Sequence, residues 1–172
     1  MRLILVRHAE ADHSALSSHG RNHAAVIAHE IAEAASRTFP VAAVYSDPAT
    51  AAFETAQVIT DALAIALPTP DGAFASLSTD AAAEGLEAHQ GKVWAAVESL
   101  QELHSPDSTL VIVSHEMPVR LLVCQALSIP LNEMHRFRID LASLTTLDFR
   151  LTPQRRTILA GLNETCHLGS NS

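Results

Sequence analysis

Polar and apolar positions along this chain follow two rhythms. Residues 2–7 and 109–114 have the interiors LILV and LVIV, with no polar residue between their ends. A strand with one wet face would show a polar residue at every second position, so these two read as strands buried on both faces. VAAVYS at 41–46 is a third, weaker run, because its alanines favour helix. Between the first and third runs, residues 19–39 change period. Ala24, Ile27, Ala28, Ile31 and Ala35 fall on one face at helical spacing. Residues 49–64 and roughly 85–104 repeat that pattern, and Pro106 stops the second of them. The pattern predicts a fourth helix from near Met117, with Pro118 in its first turn, where a missing N–H costs nothing. Residues 144–150 and 156–163 read as a C-terminal hairpin around Thr152-Pro153-Gln154.

Strands alternating with helices predict an α/β domain with an open, mostly parallel sheet and helices on both faces. The 172 residues suit one domain, placed at 1–164, with 165–172 expected to fray. The stretch 65–84, rich in Pro, Gly, Ser and Asp, is a long excursion and a candidate lid or pocket wall.

Composition narrows the function. With 48% hydrophobic and 17% charged residues the chain should fold rather than stay disordered. Nineteen acids against eleven bases leave a net charge of -8. That argues against a nucleic-acid or anionic-membrane partner, whose binding rests on basic patches. Any anion site must therefore be locally positive. Cys124 and Cys166 make neither a disulfide framework nor a CxxC metal pattern. LILV is too short for a signal-peptide core, and no run approaches a spanning helix. The chain reads as soluble and cytoplasmic.

Its candidate chemistry sits at two strand ends. His8 closes LILVRH and His115 closes LVIVSH. In an open α/β sheet, ligands bind beyond the carboxyl ends of the strands. If the two strands are central and parallel, both rings meet at one edge, with Arg7 beside them. The helix after His115 would aim backbone N–H groups at the same space. A planar guanidinium and a helix N-terminus both suit a phosphate. Two histidines without a third ligand at metal spacing do not suit zinc. A lone strand-end histidine is ordinarily just a polar surface residue; two at equivalent ends, one beside arginine, ask for more.

LILVRHAEAD, LSSHGRNHA, VYSDPATAAFETAQVI and VIVSHEMPVRLL occur in the order found in the histidine phosphatase (phosphoglycerate mutase-like) superfamily, and the chain resembles that family over nearly its whole length. IPLNEMHRFRIDLASLTTLDF, with Ala142-Ser143, resembles its C-terminal strand region. The resemblance implies a three-layer α/β/α sandwich and a phosphatase rather than a mutase, since long insertions are lacking. It implies a phosphohistidine intermediate on His8, with Arg7 and His115 holding the phosphoryl oxygens and no metal or other cofactor. Glu84 would be the general acid, with Asp80 and Glu87 behind it, and Ser14 and Glu116 would contact substrate. The substrate would be a small phosphomonoester or a phosphohistidine protein. The oligomeric state is not legible, and a homodimer is compatible with the apolar composition.

Several positions depart from the family pattern. Aligning on Pro48 and Thr55-Ala56 puts Ala51 where the family carries a second arginine. Ala9 stands for glycine, Ala11 for threonine and Ser14 for asparagine. Asp47 takes the place of a common serine, and Glu116 that of a glycine. Arg120, which matches a common family arginine, and the distal Arg136 and Arg138 could offset the loss at Ala51. The alternative reading is a degenerate phosphate-binding protein of the same fold. His19, His23 and His29, at helical spacing, are expected to be solvated.

Overall fold

Leu3 and Leu5 point to one side of the first strand and Ile4 and Val6 to the other, and all four are buried. This computed structural model describes residues 1–77, 83–149 and 157–169. The strand, β1 (Arg2–Arg7), lies inside a six-stranded sheet. The other strands are β4 (Val41–Ser46), β5 (Thr69–Pro70), β6 (Thr109–Ser114), β7 (Leu144–Phe149) and β8 (Thr157–Glu164), in the order β5-β4-β6-β1-β7-β8. β5, β4, β6 and β1 run parallel, whereas β7 and β8 return antiparallel. A small two-stranded ribbon, β2 (Ala11–Asp12) with β3 (Ala15–Leu16), follows β1.

Helices cover both faces. Helix α1 (Ser18–Ser36) and helix α2 (Thr50–Leu63) bury Ala24, Ile27, Ile31, Ala52 and Ile59 against Ile4, Val6, Val111 and Val113. Helix α3 (Ala83–Leu103) and helix α4 (Glu116–Leu127) bury Val93, Val97, Val119 and Leu122 against Leu3, Leu5, Leu110 and Ile112. The fold is the expected three-layer α/β/α sandwich. Each fully buried large aliphatic side chain contributes roughly 1.5–3 kcal/mol, so the central strands are stiff, and so is whatever stands at their ends.

Local chemistry sets the helix boundaries. Ser17 caps α1, its hydroxyl accepting the Gly20 N–H at 2.9 Å. Gly20 allows a close approach: a Cβ there would lie 1.9 Å from the Glu10 carbonyl oxygen. Helices α2 and α4 end at Ala64 and Ser128, both left-handed, with φ of 51° and 55°.

Two expectations are corrected. Residues 65–77 are not a free lid, because β5 adds to the sheet edge and the 3-10 turn Gly72–Phe74 buries Phe74 in the core. The Ser114 hydroxyl donates to the Phe74 carbonyl at 2.6 Å. Residues 78–82 of that excursion, with Asp80, lie outside the described residues, as does the hairpin turn at 152–154. The tail does not fray directly after Glu164. Cys166–Leu168 form a 3-10 turn, Leu168 packs on the α1 side of the core, and His167 Nε2 lies 3.0 Å from the Ala142 carbonyl. The apolar Leu168 anchors what a polar composition suggested was loose. Among the described residues no helix is long and apolar enough to cross a membrane.

Candidate active site

Register brings the two histidines together. β1 and β6 are parallel neighbours with Arg7 opposite Ser114, so the next residue of each strand, His8 and His115, leaves the sheet side by side. Their ring centroids are 4.8 Å apart, edge to face at 70°. The backbone at His8 is held from three directions. Its N–H donates to Ser114 O at 2.9 Å, and the Arg7 N–H to Ser143 O at 3.3 Å. The Ala142 N–H is shared between Arg7 O and His8 O at 3.1 and 3.2 Å, from a left-handed Ala142 with φ of 59°. One residue on, the Ala9 N–H donates to Thr55 Oγ1 at 3.1 Å, and that fully buried hydroxyl donates to Ala51 O at 2.7 Å. The loop after the strand is thereby pinned to α2.

Side-chain contacts then assign the His8 tautomer. Nδ1 is 2.8 Å from the Ala9 carbonyl. A carbonyl can only accept, so the ring hydrogen sits on Nδ1 and Nε2 keeps its lone pair. Burial pushes the His8 pKa below the ordinary imidazole range, and His115 and Arg7 lower it further against the opposing pull of the Ala9 carbonyl and Asp47. The ring is a neutral imidazole with a free nitrogen, which a nucleophile needs.

Arg7 stands next to it. Its Nη1 donates to Ile139 O at 2.5 Å and lies 3.2 Å from Glu116 Oε2. Its Nε is buried and has no partner among the described residues, and a buried donor of that kind ordinarily finds an acceptor. The other oxygen of Glu116 holds Arg120 Nη2, whose Nε donates to Phe137 O at 2.8 Å. Arg7, Glu116 and Arg120 thus form a chain.

His115 is the first residue before α4, and its Nε2 lies 2.5 Å from Oδ2 of Asp47, a side chain only 4% exposed. Asp47 Oδ1 accepts the Ala49 N–H at 3.1 Å, and the Asp47 N–H donates to Val113 O at 3.0 Å. The carboxylate therefore belongs to a rigid turn between β4 and α2. Sequence reasoning registered Asp47 only as extra negative charge and missed its partner. The signal was an acid directly before Pro48, at the end of a strand neighbouring His115's own.

Of the six candidate site residues, the structure brings four together: Arg7, His8, His115 and Glu116. Ser14 and Glu84 stand apart, exposed in the β2–β3 turn and in the first turn of α3, with no hydrogen bond or ion pair among the described residues. Ala51 sits in the first turn of α2, 8% exposed, its methyl part of the core. The distal arginines are engaged elsewhere: Arg136 pairs with Glu133 and Arg138 with Asp140, both on the surface. His19 and His29 are exposed as expected and His23 is half-buried; the His19 and His23 rings meet tilted at 56°, centroids 3.9 Å apart, and His19 Nδ1 lies 2.7 Å from Glu10 Oε2.

The family model for the histidine phosphatase superfamily (branch 1) matches residues 68–160. A curated relative, phosphoserine phosphatase 1 of Hydrogenobacter thermophilus, is 33% identical over 86 residues, which cover 50% of this chain and 39% of the relative. The match thus spans well under half of that protein. Among solved structures, YhfR of Bacillus stearothermophilus superposes with a TM-score of 0.81 at 18% identity, over 97% of this chain and 98% of that one. A phosphoserine phosphatase of Entamoeba histolytica in complex with 3-phosphoglyceric acid gives 0.78 at 18%, over 97% and 98%. A mycobacterial glucosyl-3-phosphoglycerate phosphatase in complex with inorganic phosphate gives 0.77 at 16%, over 96% and 98%. At those identities the structural likeness speaks for the fold, and the match over more than half of the sequence speaks for kinship. The chain belongs to the histidine phosphatase superfamily, branch 1.

Proposed function

We propose that this protein is a metal-independent phosphatase acting on a small phosphomonoester or a phosphohistidine protein, slowed by alanine at position 51. One observation carries the reading: a neutral His8, its Nδ1 hydrogen tied to Ala9, keeps a free Nε2 on a ring whose centroid is 4.8 Å from that of a second imidazole, next to Arg7, whose buried Nε has no partner among the described residues. Nε2 attacks phosphorus, the P–O bond to the leaving group breaks, and the leaving oxygen keeps that bond's electron pair and takes a proton from solvent. Water then cleaves the P–N bond, returning the electron pair to Nε2. Arg7 Nε would hold a non-bridging oxygen while charge develops on it. The cationic side chain would do what a metal ion does in other phosphoryl transfers.

The second reading, a phosphate-binding protein with little turnover, draws on the charges around the rings. Two guanidiniums, Arg7 and Arg120, both pair with Glu116, and a second carboxylate, Asp47, faces His115. They cancel, so a phosphate dianion meets no excess positive charge beyond the imidazoles.

Assaying the purified protein on an aryl phosphate, with and without chelator, separates these readings. Turnover that survives chelation and disappears in His8→Ala supports the phosphatase. Turnover lost on chelation overturns the metal-free route. Turnover unchanged in His8→Ala assigns the activity to another site, and phosphate binding without turnover favours the second reading.

A further inference from the structure

We propose that Asp47 is a positioning residue that sets His115 as the general base for water in the hydrolytic half of the reaction. The inference rests on the phosphohistidine route proposed above and gives His115 a task in place of gripping phosphate. The same acceptor logic that fixed His8 applies here. A carboxylate oxygen 2.5 Å from His115 Nε2 can only accept, so the ring hydrogen lies on Nε2 and Nδ1 keeps a lone pair. Nδ1 has no hydrogen bond among the described residues. The two rings therefore match: each has one nitrogen locked to an acceptor and one free, and a phosphoryl group carried on His8 Nε2 is beside His115.

Asp47 is suited to orient a ring. It is 3% exposed, and its second oxygen is held by the Ala49 N–H, so it has one direction in which to accept. A carboxylate behind an imidazole fixes the ring's orientation and tautomer and stabilises the imidazolium that forms when the base takes a proton. The step balances. Water oxygen bonds to phosphorus as the P–N bond breaks, and the P–N electron pair returns to His8 Nε2. The water proton passes to His115 Nδ1, which then releases it to phosphate or solvent. His8, just after β1, packs on His115, and Arg7 from β1 lies beside them; on α4, Glu116 follows His115 and pairs with Arg7 and Arg120.

The test labels the full-length protein with radioactive phosphoramidate, a donor to histidines, and follows loss of the label in wild type and in Asp47→Asn. The amide keeps an oxygen for the Ala49 N–H, and Asp47→Ser is made in parallel as a smaller replacement should the first variant not fold. Asp47→Asn is expected to hold more label at steady state and to discharge it in water about 10²- to 10⁴-fold more slowly, the range lost with a positioned general base. Discharge by hydroxylamine, which attacks with its own lone pair, is expected to be equal in both proteins. A merely structural loss would slow both nucleophiles. Discharge in water as fast as wild type, or an equal slowing with hydroxylamine, overturns the role of Asp47 and leaves the phosphohistidine route standing. Wild type that turns over yet never takes the label sinks that route, and this inference with it.

Discussion

Restoring a guanidinium at position 51 tests what its absence costs. Ala51→Arg places a cation in the first turn of α2, a helix whose start is tied to Asp47 through the Ala49 N–H. A hydrogen bond from a charged donor is worth about 1.5–3 kcal/mol. If it forms only as charge gathers on the transferring phosphoryl, that becomes roughly 10- to 150-fold in the rate of label transfer to His8. Two effects oppose the gain. Ala51 is 8% exposed within the core, and overfilling such a site costs about 1–3 kcal/mol of stability. Asp47 is also close enough to take the new cation as its own partner and divert part of its charge. Label transfer from phosphoramidate, inhibition by inorganic phosphate and urea unfolding together resolve these contributions. Faster transfer and tighter phosphate inhibition, at lower stability, are expected. A folded variant with wild-type transfer and inhibition would refute the argument that the missing arginine limits this site.

Other outcomes follow from the same geometry. Gly20→Ala should destabilise by more than about 1–3 kcal/mol, the usual range for overpacking, because the new Cβ would lie 1.9 Å from a backbone oxygen, and label transfer should fall with it; urea unfolding and labelling check both. Thr55→Val keeps the shape but strands the Ala9 N–H, costing about 1–3 kcal/mol, again read by urea unfolding. Stability should fall with acid. His8 and His89 both have pKa values lowered by burial, so below the unfolded imidazole value of about 6.5 the unfolded chain binds more protons than the folded one. Unfolding free energy should therefore drop from pH 7 to 5 and drop less in His8→Ala; an equal drop would show that His8 is not desolvated.

The elements were legible where one physical pressure acted alone. LILV and LVIV have to be buried on both faces, and they are the two parallel strands whose register delivers His8 and His115. The short ribbon of Ala11–Asp12 with Ala15–Leu16, and the edge strand Thr69–Pro70, were not legible, because two-residue strands carry no period. At the site, Arg7 and both histidines could be read from strand ends. The tie from Thr55 to Ala9 could not, since it joins residues 46 apart through a hydroxyl that a helix pattern treats as neutral. Asp47 failed for a related reason. Sequence shows that an acid is present, and only the turn geometry shows which ring it faces.

The two departures that matter most are then one change rather than two. Asp47 lies in the turn between β4 and α2 and Ala51 in the first turn of α2, and Asp47 Oδ1 accepts the N–H of Ala49, the residue at which that helix begins. A buried carboxylate needs a partner. An arginine four residues on would compete for it. With alanine there, His115 is the partner that the structure supplies. On the proposed route, alanine in place of the arginine expected there leaves this carboxylate to orient an imidazole. On the same route, charge for gripping the phosphoryl group would be exchanged for a more closely defined base, slowing capture of phosphate while leaving a means of releasing it.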